Sequence, residues 1–338
     1  MRRTLIRSRT SVVQLEYPPE EGPRPKPQES SDAHWTRFVL ISDTHTSTFP
    51  VPDGDVLLHT GDLTQMGTLK ELETTMEWLY ALPHQVKIVI AGNHDYALDH
   101  EWYAENWREL PFHRKEPESA EPIREFLKGP RAVRANVVYL QSEGHKFRVR
   151  EGGQEWTVYG SPHTPTRGGW GFGYKPENGE ALVSQFPKTD ILLTHGPPRD
   201  VFDYTNRSDS AGCPALSRRV MELKPKLHAF GHIHEARGAY IHFWRPDSSP
   251  PSAQNEPQAE DVKDTFWTKI KLFKAKKALE RFGISTAVPG TVVDEPFEQT
   301  VFVNGANWPA GQRAWNNGRR VKIGAVGFQP IVVDLMEA

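Results

Sequence analysis

The chain has 338 residues, 37% of them hydrophobic, which is enough apolar side chain for a sizeable core. Its 41 basic and 43 acidic residues leave a net charge of -2, so there is no global electrostatic case for a nucleic-acid-binding protein. One cysteine, Cys213, excludes a disulfide framework and fits a reducing compartment, and a cytoplasmic location is the expectation.

The mean hydropathy of -0.61 implies long polar loops. No run approaches the ~18 apolar residues of a membrane span. Met1-Arg-Arg-Thr-Leu-Ile-Arg7 is basic but lacks an apolar stretch behind it, so no secretory leader is expected.

In chain order, residues 1–16 read as a basic arm, either an added edge strand or a disordered segment. Pro18, Pro19, Pro23, Pro25 and Pro27 then mark an extended linker to residue 33. One domain, 34–338, follows. Its first strand starts near Arg37 and ends in Asp43-Thr-His45, whose i and i+2 spacing points both side chains the same way from extended backbone. Val56-Leu-Leu-His-Thr-Gly-Asp62 is the second strand. Leu69, Leu72, Met76 and Leu79 predict a helix over 67–80, with Pro83 just past its end.

Lys87-Ile-Val-Ile-Ala-Gly-Asn-His-Asp95 is a buried strand running into an amide, an imidazole and a carboxylate, with Gly92 expected to permit a tight turn. Residues 98–128 carry Trp102, Trp107, Leu110 and Phe112, then a helical pattern at Ile123, Phe126 and Leu127. Val137–Leu140 reads as a strand. Lys146–Arg150 and Glu155–Tyr159 alternate around Gly152-Gly153 as a hairpin. The loop 161–179, rich in Pro, Gly and aromatics, is long enough to argue for function.

Strands at 187–195 and 225–232 end in His195 and in His232-Ile-His234, with a helix between them near Leu216 and Val220. An insertion at about 245–290 follows, flexible over 245–264 and then a basic helix over 265–282. Strands at 299–304 and 328–335 close the chain. The alternation of strands and helices predicts an α/β fold with sheet layered between helices, and five strands deliver polar residues at their carboxyl ends, where such folds build their sites.

Asp43-Thr-His45, Gly61-Asp62, Gly92-Asn93-His94-Asp95, Thr194-His195 and Gly231-His232-Ile-His234 resemble, in order, the five motif blocks of the calcineurin-like metallophosphoesterases. Within that superfamily the chain is most similar to the metallophosphoesterase-domain-containing class III phosphodiesterases. This closer resemblance rests on Gly168-Gly-Trp-Gly-Phe172, Thr194-His-Gly-Pro-Pro198, Pro225-Lys-Leu-His-Ala-Phe-Gly-His232 and Gly327-Phe-Gln-Pro330. It implies a four-layer α/β/β/α sandwich with a two-metal site at the carboxyl ends of the strands. It also implies that Asp43, His45, Asp62 and His234 hold one ion, while Asp62, Asn93, His195 and His232 hold the other. Some animal members lack the first histidine of the last block; His232 is present here.

The ligand types suit Mn, Fe or Zn better than Mg. Two cations about 3.5–4 Å apart clamp the oxygens of an in-line displacement and activate a bridging water. His94 is then expected to stabilise phosphate charge or protonate the leaving oxygen, and Asp95 to orient its imidazole.

Other residues carry competing readings. His59 and His228 sit within strands and read as core histidines, and Cys213 as a small packed residue. His163 and Arg167 are open between substrate contact and an ordinary surface role. Trp170, Phe172 and Tyr174 are open between a stacking wall for a base and anchors for their loop. Arg237, three residues after His234, is a candidate phosphate contact by nearness in sequence.

The resemblance implies hydrolysis of cyclic nucleotides, 2′,3′-cyclic ahead of 3′,5′-cyclic, and of small linear phosphodiesters. The partner expected is a small nucleotide or phosphodiester substrate, with no stable nucleic-acid complex. The rivals are a phosphomonoesterase and a regulatory binding protein with a residual metal site.

Overall fold

Alternation along the central strands decides the layers of this protein. A computed structural model of the chain describes residues 4–28, 33–110, 116–166, 168–206, 209–244, 292–293, 298–316 and 318–337. In β3 (Trp35–Ile41), Phe38 and Leu40 join one apolar cluster while Val39 and Ile41 join another, as the two-residue period of a strand requires.

Two sheets result. The first runs β14 (Val292–Val293), β1 (Thr4–Ser8), β2 (Ser11–Glu16), β18 (Ile331–Met336), β3, β4 (Val56–Thr60), β5 (Val86–Ile90) and β6 (Val137–Leu140). The second runs β13 (Gly238–Phe243), β15 (Gln299–Asn304), β12 (Leu227–Phe230), β11 (Ile191–Thr194), β8 (Trp156–Ser161) and β7 (Glu143–Phe147). β3 to β6 are mutually parallel, as are β8, β11, β12 and β15.

The sheets face each other across a shared core in which Phe38, Leu58 and Ile90 of the first meet Trp156, Ile191 and Leu227 of the second. The Phe38 and Trp156 rings cross edge to face at 5.2 Å. The outer face of the first sheet packs on α1 (Leu69–Ala81) and α3 (Ala120–Lys128), through Leu72, Met76, Leu79, Ile123 and Leu127. The outer face of the second packs on α5 (Gly179–Val183) and α6 (Pro214–Leu223). This is the α/β/β/α sandwich expected from the sequence, and each fully buried large apolar side chain contributes about 1.5–3 kcal/mol to it.

Local signals place α1 where the periodicity put it. Thr68 and Glu71 form a reciprocal capping box, and the helix stops ahead of Pro83. α6 begins at Cys213, whose sulfur accepts from the Leu216 amide; the cysteine is buried and packed.

The sequence reading missed some elements. Residues 4–16 form a hairpin, and β2 is an interior strand that pairs with β18. The buried pair Arg37–Asp334 (2.7 Å) joins β18 to β3 at facing positions. β13 was not anticipated and pairs antiparallel with β15. The insertion expected at 245–290 lies outside the described residues. No helix among the described residues is long and apolar enough to cross a membrane.

Candidate active site

Five parallel strands, three of the first sheet and two of the second, deliver the polar residues singled out above. β3 runs into Asp43 and His45, β4 into Asp62, β5 into Asn93, His94 and Asp95, β11 into His195, and β12 into His232 and His234. The backbone is bent hard to do this. Asp43, His45, Asp62 and His232 all have positive φ, between 46° and 68°. Each such non-glycine residue costs about 1–3 kcal/mol and persists only where its surroundings hold it.

Two glycines are required by close approach. A Cβ on Gly92 would stand 2.3 Å from Asp62 Oδ1, and one on Gly231 would stand 2.2 Å from Asp43 Oδ2. Gly92 therefore makes room for Asp62, and its carbonyl accepts from the Asp95 amide at 3.1 Å across the tight turn expected there.

The ligand-type atoms of Asp43, His45, Asp62 and His234 all lie within 4.8 Å of one another. His234 Nε2 is 3.0 Å from Asp43 Oδ1 and 3.4 Å from His45 Nε2, which lies 3.7 Å from Asp62 Oδ2. On the other side of Asp62, His195 Nε2 is 3.4 Å from Oδ1 and 2.9 Å from Asn93 Oδ1. The His232 ring meets the His195 ring at 5.1 Å, and its amide donates to the Asp43 carboxylate. Asp62 thus touches both groups.

The electrostatics call for positive charge. The Thr60 carbonyl accepts from His195 Nδ1–H at 2.9 Å, which leaves Nε2 as the nitrogen that faces the Asp62 and Asn93 oxygens. Burial disfavours the His195 imidazolium, yet the Asp62 carboxylate outweighs burial and raises its pKa to about 9. Burial also works against ionised Asp43 and Asp62, but the facing His234 and His195 hold both carboxyls below their usual range. Burial lowers His45 to about 4 and His232 to about 3. Carboxylates and imidazole nitrogens converge here, and without an ion Asp62 and Asp43 draw protons onto His195 and His234 against the effect of burial; a cation would satisfy the same atoms, and this donor set suits a transition metal.

A cavity of about 400 Å³ opens onto these residues. Asp62, Asn93, His94, His232 and His234 form one side; Thr164, Pro165, Thr166, Gly168 and Trp170 form the other. The threonine side comes from the ribbon of β9 (Thr164–Pro165) and β10 (Gly173–Tyr174). His94 Nδ1–H is held by the Gln65 carbonyl at 2.8 Å. Trp170 lies 4.8 Å from the His94 ring and stacks on Tyr96, which stacks in turn on Trp102.

Several sequence assignments need correction. Asp95 does not orient His94. Its buried carboxylate accepts from the amides of Leu63, Thr64 and Gly92 and from the Thr64 hydroxyl, tying the β4 and β5 loops together. Arg237 does not face the cavity: it is buried and donates to the carbonyls of Gln329 and Leu15. Phe172 is buried, and Tyr174 hydrogen-bonds Cys213. Neither joins Trp170 at the cavity. His163 contacts Ser161 Oγ at 3.2 Å and the edge of Phe172, and does not line the cavity. Arg167 lies outside the described residues.

His59 and His228 are core histidines as read, bonded to the hydroxyls of Thr44 and Thr194. Sequence reasoning passed over Thr164, Thr166 and Trp308. The last follows β15, and its ring lies 5.1 Å from that of His45. The signal for it was the plan shared by the other strands, an apolar run followed by polar residues.

Residues 36–236 match the family described as calcineurin-like phosphoesterase. The chain belongs to this family. It is also similar to metallophosphoesterase domain-containing protein 1 of Homo sapiens, 37% identical over 240 residues that cover 67% of each chain. The UPF0046 protein K07C11.7 of Caenorhabditis elegans is 31% identical over 69% of this chain and 72% of its own. A probable rhamnogalacturonate lyase C of Emericella nidulans is 36% identical over 62% of this chain but only 18% of its own length. As a calcineurin-like phosphoesterase, the chain is a metal-dependent phosphoesterase, and the Asp43, His45, Asp62 and His234 cluster is a place where it could bind a metal.

Proposed function

We propose that the protein is a phosphodiesterase for small phosphodiesters, cyclic nucleotides among them, with 2′,3′-cyclic isomers favoured. The observation that carries this reading is the cavity lining. Among the described residues it contains no Lys or Arg, and its volume suits one nucleotide. A diester brings one negative charge at the reacting phosphorus, whereas a monoester brings up to two and asks for more cationic contact.

In this reading Asp43, His45, Asp62 and His234 would hold one ion, and Asp62, Asn93, His195 and His232 a second, with Mn, Fe or Zn preferred to Mg. Bound ions of this kind supply Lewis acidity to phosphoryl oxygens and an activated water. Asp62 sets the spacing of the two groups. The Thr60 carbonyl fixes the His195 tautomer, and Asn93 presents its amide oxygen beside it. With Nδ1 tied to Gln65, His94 has Nε2 as its free nitrogen, and its imidazolium form can give that proton to the leaving oxygen. The exposed side of Trp170 is a platform for a base.

The test is a paired assay on metal-stripped protein refilled with Mn²⁺, comparing a bis-aryl phosphodiester with the matching aryl monoester. Preference for the diester supports the proposal. Preference for the monoester moves the activity to a phosphatase, and metal binding with no turnover of either favours a regulatory protein.

A further inference from the structure

From residue 299 to residue 333 the chain has no Asp or Glu, but it has Arg313, Arg319, Arg320 and Lys322. In a chain with slightly more acid than base, that bias is local. The structure gathers it on a ribbon of β16 (Trp315–Asn316) and β17 (Arg319–Arg320), in which Trp315 pairs with Arg320.

The ribbon is fastened to the candidate metal site at two points. Arg313 donates to the carbonyls of Glu235 and Arg237, on the turn that begins with His234. Arg320 lies over the Trp308 ring at 5.7 Å, and Trp308 in turn meets the His45 ring at 5.1 Å. Arg319, Arg320 and Lys322 are exposed, and no carboxylate among the described residues pairs with them. Trp315 is 61% exposed. These cations are therefore uncommitted, they stand one aromatic ring beyond a candidate ligand, and the described cavity lining has none of its own.

We infer that this ribbon is a subsite for a second phosphate of the substrate, one that lies beyond the reacting phosphorus. Arg319 and Arg320 meet the phosphate, and Trp315 and Trp308 flank the sugar that carries it. The preferred substrate is then a nucleotide diester bearing another phosphate, either a terminal 5′-phosphate or the bridging phosphate of a neighbouring nucleotide. Exposed arginines interleaved with aromatics are the chemistry that single-stranded nucleotide chains use. The ribbon is too short for a lasting nucleic-acid complex, and its effect is on selection among small substrates. The inference rests on the phosphodiesterase reading for its substrate, but its test is one of binding and does not depend on turnover.

The experiment is calorimetric titration of Mn²⁺-loaded protein with adenosine 3′-monophosphate, adenosine 3′,5′-bisphosphate and adenylyl-(3′→5′)-adenosine 3′-phosphate whose bridging ester oxygen is replaced by methylene, so that the bridge keeps its charge but is not hydrolysed. At low salt one or both of the phosphate-extended ligands should bind roughly tenfold tighter than the monophosphate, and the gain should shrink steeply as salt rises. Arg319→Gln with Arg320→Gln, both on the surface, should erase the gain. The ligand with the larger gain identifies a terminal or a bridging phosphate as the source. Equal affinity for all three ligands, or a gain that survives the double substitution, overturns the inference. Failure of the diester assay while this gain persists would reject only the phosphodiesterase reading.

Discussion

His45 Nε2 and His234 Nε2 stand 3.4 Å apart, each also facing a buried carboxylate. Burial disfavours the His234 imidazolium, but Asp43 raises the His234 pKa, so without an ion a proton on His234 faces this gap; a cation bound there would take its place among the same nitrogens and carboxylates and stabilise the fold. A bound ion at 100 times its dissociation constant would add about 2.7 kcal/mol to stability. Chelation should lower the melting temperature, and Mn²⁺ should restore it. Asp62→Ala, which removes the one carboxylate shared by both groups, should deplete metal and abolish turnover; full metal content by elemental analysis would refute the shared role.

The His94 imidazole is held by the Gln65 carbonyl, while its backbone amide donates to Asp62 Oδ1 at 2.9 Å. His94→Ala should keep bound metal but lose about 10²–10⁴ in kcat, the scale of general acid catalysis. Steady-state kinetics alongside metal analysis separates this from site collapse. Normal turnover would remove His94 from the mechanism.

Asp95 ties two loops with four hydrogen bonds to one buried carboxylate. Asp95→Ala should cost about 3 kcal/mol or more, because three amides and a hydroxyl lose their acceptor inside the protein. Urea unfolding measures this. A variant as stable as the parent would show that the loops hold without the carboxylate.

His228 makes stability depend on pH. Burial pushes its pKa down to about 3 in the folded protein, against 6.5 for a free side chain. Below pH 6.5 the unfolded chain takes up a proton that the folded one refuses, so stability is full above that pH and falls as pH drops toward 3. Between pH 7.5 and 5.5 this residue alone should remove about 1 kcal/mol. Buried His59 and His242 act in the same direction, so His228→Gln should reduce the slope of unfolding free energy against pH by its own share, whatever it does to the absolute value; an unchanged slope would show that His228 does not contribute.

The amino-acid sequence by itself determined where the five site-bearing strands run and which residues stand at their carboxyl ends, though not the hairpin of residues 4–16 or β13. A strand's period of two, its apolar run and the polar residues that follow are all local in the chain, so Asp43, His45, Asp62, Asn93, His195, His232 and His234 were legible before any folding was considered. Tertiary structure decided the direction each side chain faces and the company it keeps. Arg237 is three residues from His234, yet the pull of the Gln329 and Leu15 carbonyls turns it into the core. Asp95 follows His94 directly, but amides from a different loop claim its carboxylate. The first strands join an interior position because β18, more than 300 residues later, offers them an edge. The cavity wall of Thr164 and Trp170, and the Arg320–Trp308–His45 series, exist only because separate loops meet, and spacing along the chain carries no trace of that meeting.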